Sequence, residues 1–294
     1  MIQYILSFLG FALVLNQFRK LYFRLLPFFT TPTDIQKLYG NEKKDAWALI
    51  TGSSEGIGKE WAIQLSQKGF NIILISRSYD KLESVSKCLN PLVKFKIITQ
   101  DFTKSNEDNF FENLLKQLSD FEISIIVNNV GVIDIQEYTD IPENLIRSHI
   151  TVIKQKKYDI IKKKRKAQII SMSSYAQEYP NPYYNIYSSS KAFIQYLFTS
   201  LKHSKHNNHV QFTTFRPFYI KTAMVNYKSL PFTITPQFFI KSCINVLGKT
   251  SDSNGTLIHE IFSYISSLLP DFIKDIIFPL VSKQAMYQLE FKKR

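Results

Sequence analysis

At residues 185–191 the chain reads NIYSSSK, which sets Tyr187 four positions ahead of Lys191. On a helix, positions i and i+4 share a face, so a phenol and an ammonium would stand side by side. A free tyrosine, with a pKa of about 10, is a poor proton donor near neutrality. A neighbouring ammonium favours the phenolate and lowers that pKa. The pair therefore reads as an acid for an oxygen that gains negative charge; alone, it reads equally as a surface pair. A second stretch shifts that balance. TGSSEGIG at 51–58 holds three of the nine glycines in the chain, Gly52, Gly56 and Gly58, with Ser53, Ser54 and Ile57 among them. Gly52 permits a tight turn, Gly56 lets backbone approach a pyrophosphate, and Gly58 lets a helix pack close to a strand. The N-terminus of that helix would face the phosphates.

These residues need a sheet and helices to hold them. After Gly40, short apolar runs alternate with amphipathic stretches. Strands are expected at 46–50, 71–76, 94–99, 123–127, 168–172 and 210–215, with a seventh at 256–261. Helices are expected from the glycine turn to about residue 68, near 105–119, and before residue 168. The glycines thus follow a strand and open a helix, the context that separates a nucleotide loop from an ordinary turn. The alternation implies an α/β fold, a doubly wound Rossmann-type parallel sheet with helices on both faces. Its ligand crevice lies at the carboxyl ends of the strands.

The 294 residues, 45% of them hydrophobic, suffice for one large domain. No repeat or low-complexity tract interrupts them. Cys88 and Cys243 form no CxxC pair, which fits a reducing compartment. The formal charge is +13, but the basic residues are spread along the chain. The one dense run, 162–166, reads as a solvated helix end, so nucleic acid is not an expected partner. A positive surface also suits anionic lipid or an anionic substrate such as an acyl-CoA. His203, His206 and His209 lie in a polar loop, and no metal site is expected from them.

Residues 2–18 carry no charge and are followed by Arg19, Lys20 and Arg24. As a helix they would measure about 26 Å, against roughly 30 Å of hydrocarbon core. No cleavage site follows, and the position of the basic residues puts the bulk of the chain in the cytosol. A membrane anchor, spanning or lying in the interface, is the expectation. Residues 261–281 are apolar but broken by Pro270, Asp271, Lys274, Asp275 and Pro279. They read as a membrane-lying segment, a lid over a substrate site, or a core helix. The organisation is then an anchor and linker at 1–40, a nucleotide-binding domain at 41–261, and an apolar extension with a basic tail at 262–294.

TGSSEGIG, NNVG at 128–131 and YSSSK at 187–191 occur in that order, at strand ends and on a helix. Together they resemble the short-chain dehydrogenase/reductase family. ISRSYDKL at 75–82, the valine of NNVG, IKSCINVLGKTSDSNGTLIHEI at 240–261 and the apolar N-terminus resemble a narrower group. It comprises the membrane-bound very-long-chain 3-oxoacyl-CoA reductases, or 17β-hydroxysteroid dehydrogenase type 12 group.

The resemblance implies that Tyr187 protonates the carbonyl oxygen as hydride arrives and that Lys191 also bonds the nicotinamide ribose. The family's serine lies thirteen positions before the tyrosine, at Ser174, with Ser173 the near alternative. The family's asparagine on the helix before the fifth strand has no counterpart in LIRSHITVIKQ (145–155), where Ser148 or His149 stands in its place. That departure bears on turnover more than on cofactor binding. Asp101 and Phe102 match an adenine-contacting pair, and Asn128 and Gly131 positions beside adenosine and ribose. Arg216, Pro217 and Thr222 match the segment lining the nicotinamide. An acidic residue ending the second strand would bind a ribose 2′-OH; Ser76 and Arg77 stand there instead, and a guanidinium suits a 2′-phosphate, hence NADP(H).

The implied activity is reduction of 3-oxoacyl-CoA to 3-hydroxyacyl-CoA in fatty-acid elongation. The implied site is the endoplasmic reticulum membrane, with the catalytic domain facing the cytosol. A homodimer or elongation-complex partners would go with it. A ketosteroid or other lipophilic carbonyl is the alternative substrate. A nucleotide-binding membrane protein with impaired turnover is the alternative of another class. The C-terminal FKKR resembles a retrieval tail, with Phe291 in place of the outer lysine.

Overall fold

The computed structural model describes residues 1–41, 45–104, 107, 109–131, 166–180, 183, 185–203, 209–225 and 232–290, with 285–290 by backbone only. The strands are β1 (Trp47–Thr51), β2 (Asn71–Ser76), β3 (Phe95–Thr99), β4 (Ile123–Asn128), β5 (Ala167–Met172), β6 (Val210–Phe215) and β7 (Asp252–Ser253). Described helices are α1 (Ile2–Phe29), α2 (Ile35–Tyr39), α3 (Gly56–Gln67), α4 (Tyr79–Ser86), α5 (Phe110–Leu118), α6 (Asn185–Lys202), α7 (Pro236–Val246), α8 (Leu257–Ser267) and α9 (Asp271–Glu290).

The strands form one parallel sheet in the order β3-β2-β1-β4-β5-β6-β7. Ala48 and Ile50 of β1, with Ile72 and Leu74 of β2, enter one core with Trp61 and Leu65 of α3 and Phe239 of α7. Their neighbours Leu49, Ile73 and Ile75 enter the other, with Phe110 and Leu114 of α5 and Ile194 and Phe198 of α6. Burial on both faces explains why β1 and β2 are continuous apolar runs rather than alternating ones. The chain order reverses between β1 and β4, so their carboxyl ends open the crevice where such sheets bind ligands.

Six strands lie within a residue of their expected places; the seventh does not. β7 ends at Ser253, and Gly255, at φ +82°, turns the chain. The Thr256 hydroxyl then accepts the His259 amide at 3.4 Å as the N-cap of α8. A threonine just before an apolar run is a helix-start signal, and here it outweighs the β-branched composition. The expected domain boundary at 261 consequently falls inside α8. α5 begins at Phe110, later than the expected 105.

α1 exposes Ile2, Tyr4, Phe8, Phe11, Leu13 and Phe18. Its second half docks: the Tyr264 hydroxyl of α8 donates to the Gln17 carbonyl at 3.0 Å, and Lys249 Nζ donates to Pro27 O at 3.2 Å. Among the described residues no helix is long and apolar enough to cross a membrane. Of the two forms open to the anchor, spanning or lying in the interface, the spanning one is not supported. Asn16, Gln17 and Arg19 fall within any membrane-length window that takes in most of the apolar run and dilute it. The apolar stretch after α8 is a second helix, α9, that shows Phe272 and Ile276 to solvent and turns Phe278 inward. Ser148, His149, the 162–165 run, His206 and the 291–294 tail lie outside the described residues.

Candidate active site

The loop after β1 is shaped by its glycines. Gly52 and Gly56 sit at φ +64° and +58°, a region favourable to glycine. At Gly58 a Cβ would stand 2.2 Å from the Gly52 carbonyl oxygen, so only glycine lets α3 start this close to the loop. The Asn129 side chain donates to that carbonyl at 3.1 Å, and the Asn129 amide donates to Thr51 Oγ1 at 3.1 Å. Asn129, not singled out from the sequence, thus ties the end of β4 to the loop. The NN doublet at 128–129 is its signal, and nothing local separates Asn129 from Asn128. Asn128 ends β4 opposite Ser171. The buried Ser53 hydroxyl donates to Ile75 O at 3.4 Å, and Ser76 Oγ donates to Ser54 Oγ at 3.1 Å, fixing the loop to the end of β2. Ile57 packs on the core.

Arg77 is exposed just beyond β2 and makes no ion pair with another described residue. Asp101 accepts the Thr103 amide at 3.0 Å and its hydroxyl at 2.8 Å. Those bonds, aided by Arg77 and Lys104, hold its carboxyl below the usual carboxylate range. The Phe102 ring is buried against Phe110, so its backbone is what remains to face a ligand.

Beyond β5 the structure separates the two serines. Ser173 is buried and donates to Lys191 O at 3.0 Å, with Gln177 also against its hydroxyl. Ser174 accepts the Ala176 amide at 3.2 Å, and its side chain reaches the Tyr187 phenol. Lys191 is buried on α6. Its ammonium donates to Met172 O at 2.9 Å and lies 5.5 Å from the centre of the Tyr187 ring. A Cβ at Gly131 would come within 3.2 Å of that ammonium, so the glycine after β4 leaves it room. Tyr187, Lys191, Ser174 and Gly131 therefore converge at the ends of β4 and β5.

The electrostatics depart from expectation in one respect. Burial raises the Tyr187 pKa above its usual value, and the Ser174 hydrogen bond only partly counters it. Burial lowers Lys191 to about 8. The ammonium is drawn to the Met172 carbonyl and over the ring, so desolvation dominates the phenol.

Pro217 O accepts the Tyr175 amide at 3.0 Å. The Thr222 methyl would be 3.1 Å from a Cβ on Gly56, which sets this segment over the glycine loop. Arg216 is turned away: it is buried and pairs with Glu178 and, at 2.7 Å, with Asp252. An aromatic wall stands beside Ser174. Tyr175 stacks on Phe218 at 3.7 Å between centroids, Phe262 of α8 meets Phe218 edge-on at 4.6 Å, and Phe278 of α9 stacks on Tyr179 at 5.0 Å. α8 is fixed by Glu260, whose buried carboxylate accepts Ser253 Oγ at 2.7 Å, the Asn254 amide at 2.6 Å and Asn254 Nδ2 at 2.7 Å. Neither the wall nor Glu260 was singled out from the sequence.

Comparison with known proteins agrees with this geometry. The very-long-chain 3-oxoacyl-CoA reductase of Coccidioides immitis is 32% identical over 243 residues, 77% of this chain and 66% of that protein. The 17-beta-hydroxysteroid dehydrogenase type 3 of Homo sapiens is 33% identical over 236 residues, 76% of this chain and 75% of that one. The fold is shared with a short-chain dehydrogenase from Sphingobium yanoikuyae solved with NADPH. Their TM-score is 0.64 at 17% identity, covering 76% of this chain and 96% of that one. The family model described as short chain dehydrogenase matches residues 46–230, most of the length described above, and the chain belongs to that family.

Proposed function

We propose that the protein reduces the keto group of long-chain 3-oxoacyl-CoA with NADPH, giving the 3-hydroxyacyl-CoA, at the cytosolic surface of the endoplasmic reticulum membrane. The observation that carries the reading is the convergence of Tyr187, Ser174 and Lys191 at the end of a glycine-lined crevice, beside a wall of aromatic rings. The crevice fits a dinucleotide: Gly58 leaves the space a Cβ would fill, the α3 N-terminus points into it, and Arg77, exposed and without an ion pair among the described residues, suits a 2′-phosphate. When bound, the nicotinamide supplies the hydride. Ser174 holds the carbonyl oxygen, Tyr187 gives it a proton, and the Lys191 ammonium favours the phenolate left behind. A phenol whose pKa is raised keeps its proton at neutral pH, the state carbonyl reduction needs.

Relatives named as acyl-CoA reductases and as a steroid dehydrogenase both support a lipophilic carbonyl. The aromatic wall suits an acyl chain or a sterol, and the steroid reading is retained for that reason. The exposed apolar residues of α1, α8 and α9 support a membrane-lying attachment. The test is NADPH oxidation by detergent-solubilised protein. A kcat/KM at least tenfold higher for a long-chain 3-oxoacyl-CoA than for a 17-ketosteroid is the expected result, and the reverse ratio would replace the acyl reading with the steroid one. For the cofactor, Arg77→Gln is expected to raise the KM for NADPH about tenfold through loss of a charge-assisted phosphate contact, with NADH unaffected. Equal changes for both nucleotides would dismiss that role.

A further inference from the structure

Of the three basic residues in α1, Arg19 and Lys20 are exposed and Arg24 is half-buried. Arg24 lies seven residues beyond Gln17, two helical turns on the same face. Since Gln17 O is bonded by Tyr264, that face looks toward α8. The half-buried stripe Gln17, Leu21, Arg24 and Phe28 follows the spacing of a docked helix. Within this stripe a charged group is out of place. Its Nη1 is fully buried and meets no hydrogen-bond acceptor among the described residues. Among the described residues no carboxylate lies within ion-pair distance of it. Glu178, the carboxylate that acts with it on Tyr175, is held by Arg216. The Arg24 charge is felt at the Tyr175 phenol, which Ser266 of α8 also bonds, and Tyr175 directly follows Ser174.

A half-buried guanidinium with one fully buried, open donor has room for an acceptor from outside the chain. We propose that Arg24 is a specificity-determining residue that receives a phosphate group, the one carried by the acyl thioester whose keto group lies at Ser174 and Tyr187. This rests on the reductase reading above. The planar fork of an arginine matches phosphate oxygens, and Arg24 acts on the phenol of Tyr175, the residue next to Ser174. A neutral steroid offers no such group. A lipid headgroup carries the same phosphate chemistry, and α1 already exposes apolar residues beside it, so the experiment separates the two sources.

Full-length protein is assayed with a 3-oxoacyl-CoA and with the same acyl chain on N-acetylcysteamine, which keeps the thioester and lacks every phosphate. Arg24→Gln is expected to raise the KM for the CoA substrate about tenfold with kcat little changed, leave the phosphate-free thioester unaffected, and be partly rescued by Arg24→Lys. An unchanged KM for NADPH serves as the folding control. The second arm measures sedimentation with phosphatidylcholine vesicles with and without phosphatidic acid. Loss of the phosphatidic acid preference, with the CoA KM unmoved, assigns the phosphate to lipid. Equal KM increases for both thioesters would make Arg24 structural and overturn the proposal, as would no change in either arm. A wild-type protein that reduces a ketosteroid but neither thioester removes the acyl reading itself, and the vesicle arm alone then decides for or against a phosphate at Arg24.

Discussion

Tyr187→Phe is expected to lower kcat/KM for carbonyl reduction by about 10²–10⁴-fold while NADPH affinity stays as it was. The substitution removes one oxygen and nothing that shapes the glycine loop. The ring stays beneath the Lys191 ammonium, whose hydrogen bond to Met172 O needs no phenol. What is lost is the proton for the developing alkoxide and the partner of the Ser174 side chain. The pH profile supplies a second reading. Tyr187 stays protonated through neutrality, while the Lys191 ammonium loses its proton at about 8. Reduction by the wild type should hold from mildly acid pH to about 8 and fall above it, as the charge that supports the phenolate disappears. Lys191→Met should flatten that limb at a lower rate. Stopped-flow nucleotide binding and steady-state NADPH oxidation check all of this. A Tyr187→Phe enzyme with near wild-type turnover would show that the proton comes from elsewhere.

Gly58→Ala is expected to abolish nucleotide binding and to destabilise the fold by about 1–3 kcal/mol, the usual range for forcing a methyl into a packed site. The methyl would stand 2.2 Å from Gly52 O and 2.6 Å from Asn129 Nδ2. The first of these is backbone and has no rotamer by which to escape. α3 must back away from the sheet, and the bond from Asn129 to Gly52 O must break with it. Gly10→Ala is the control: nothing lies within 4 Å of its added methyl, and an exposed helix favours alanine by up to about 1 kcal/mol. Thermal melts and fluorescence titration with NADPH separate the two variants. If Gly58→Ala binds the nucleotide like the wild type, the glycine has no part in the crevice.

What could be read from the sequence was local. The strands β1, β2 and β4 are short apolar runs whose burial on both faces leaves one interpretation, and the edge strand β3 was legible from its β-branched and aromatic residues alone. The glycine turn and the Tyr187–Lys191 pair are spaced within one element, so their periodicity carries their geometry. The failures were of two kinds. The composition of residues 256–261 suits a strand, although Thr256 caps a helix. The local signal was present and outweighed. The aromatic wall had no local signal: Tyr175, Phe218, Phe262 and Phe278 come from four separate segments and meet only after the sheet has formed. The choice between Ser173 and Ser174 is of this second kind, because it depends on Ser173 reaching the α6 backbone. So is the acidity of Tyr187. Spacing puts an ammonium near the ring, but only the fold shows it bonded to Met172 O.

The Glu260 carboxylate, with its three hydrogen bonds to Ser253 and Asn254, has a wider consequence. It moors the chain's final helices to the rim of the sheet from a stretch that shares no residue with the glycine loop or with the Tyr187 helix. Two rings of the aromatic wall, Phe262 and Phe278, thus lie in a late stretch apart from the glycine loop, while Tyr175 and Phe218 adjoin Ser174 and Pro217. Under the proposed function, changes at Phe262 and Phe278 would reshape the wall without touching the glycine loop, as long as Glu260 holds α8 to the sheet edge.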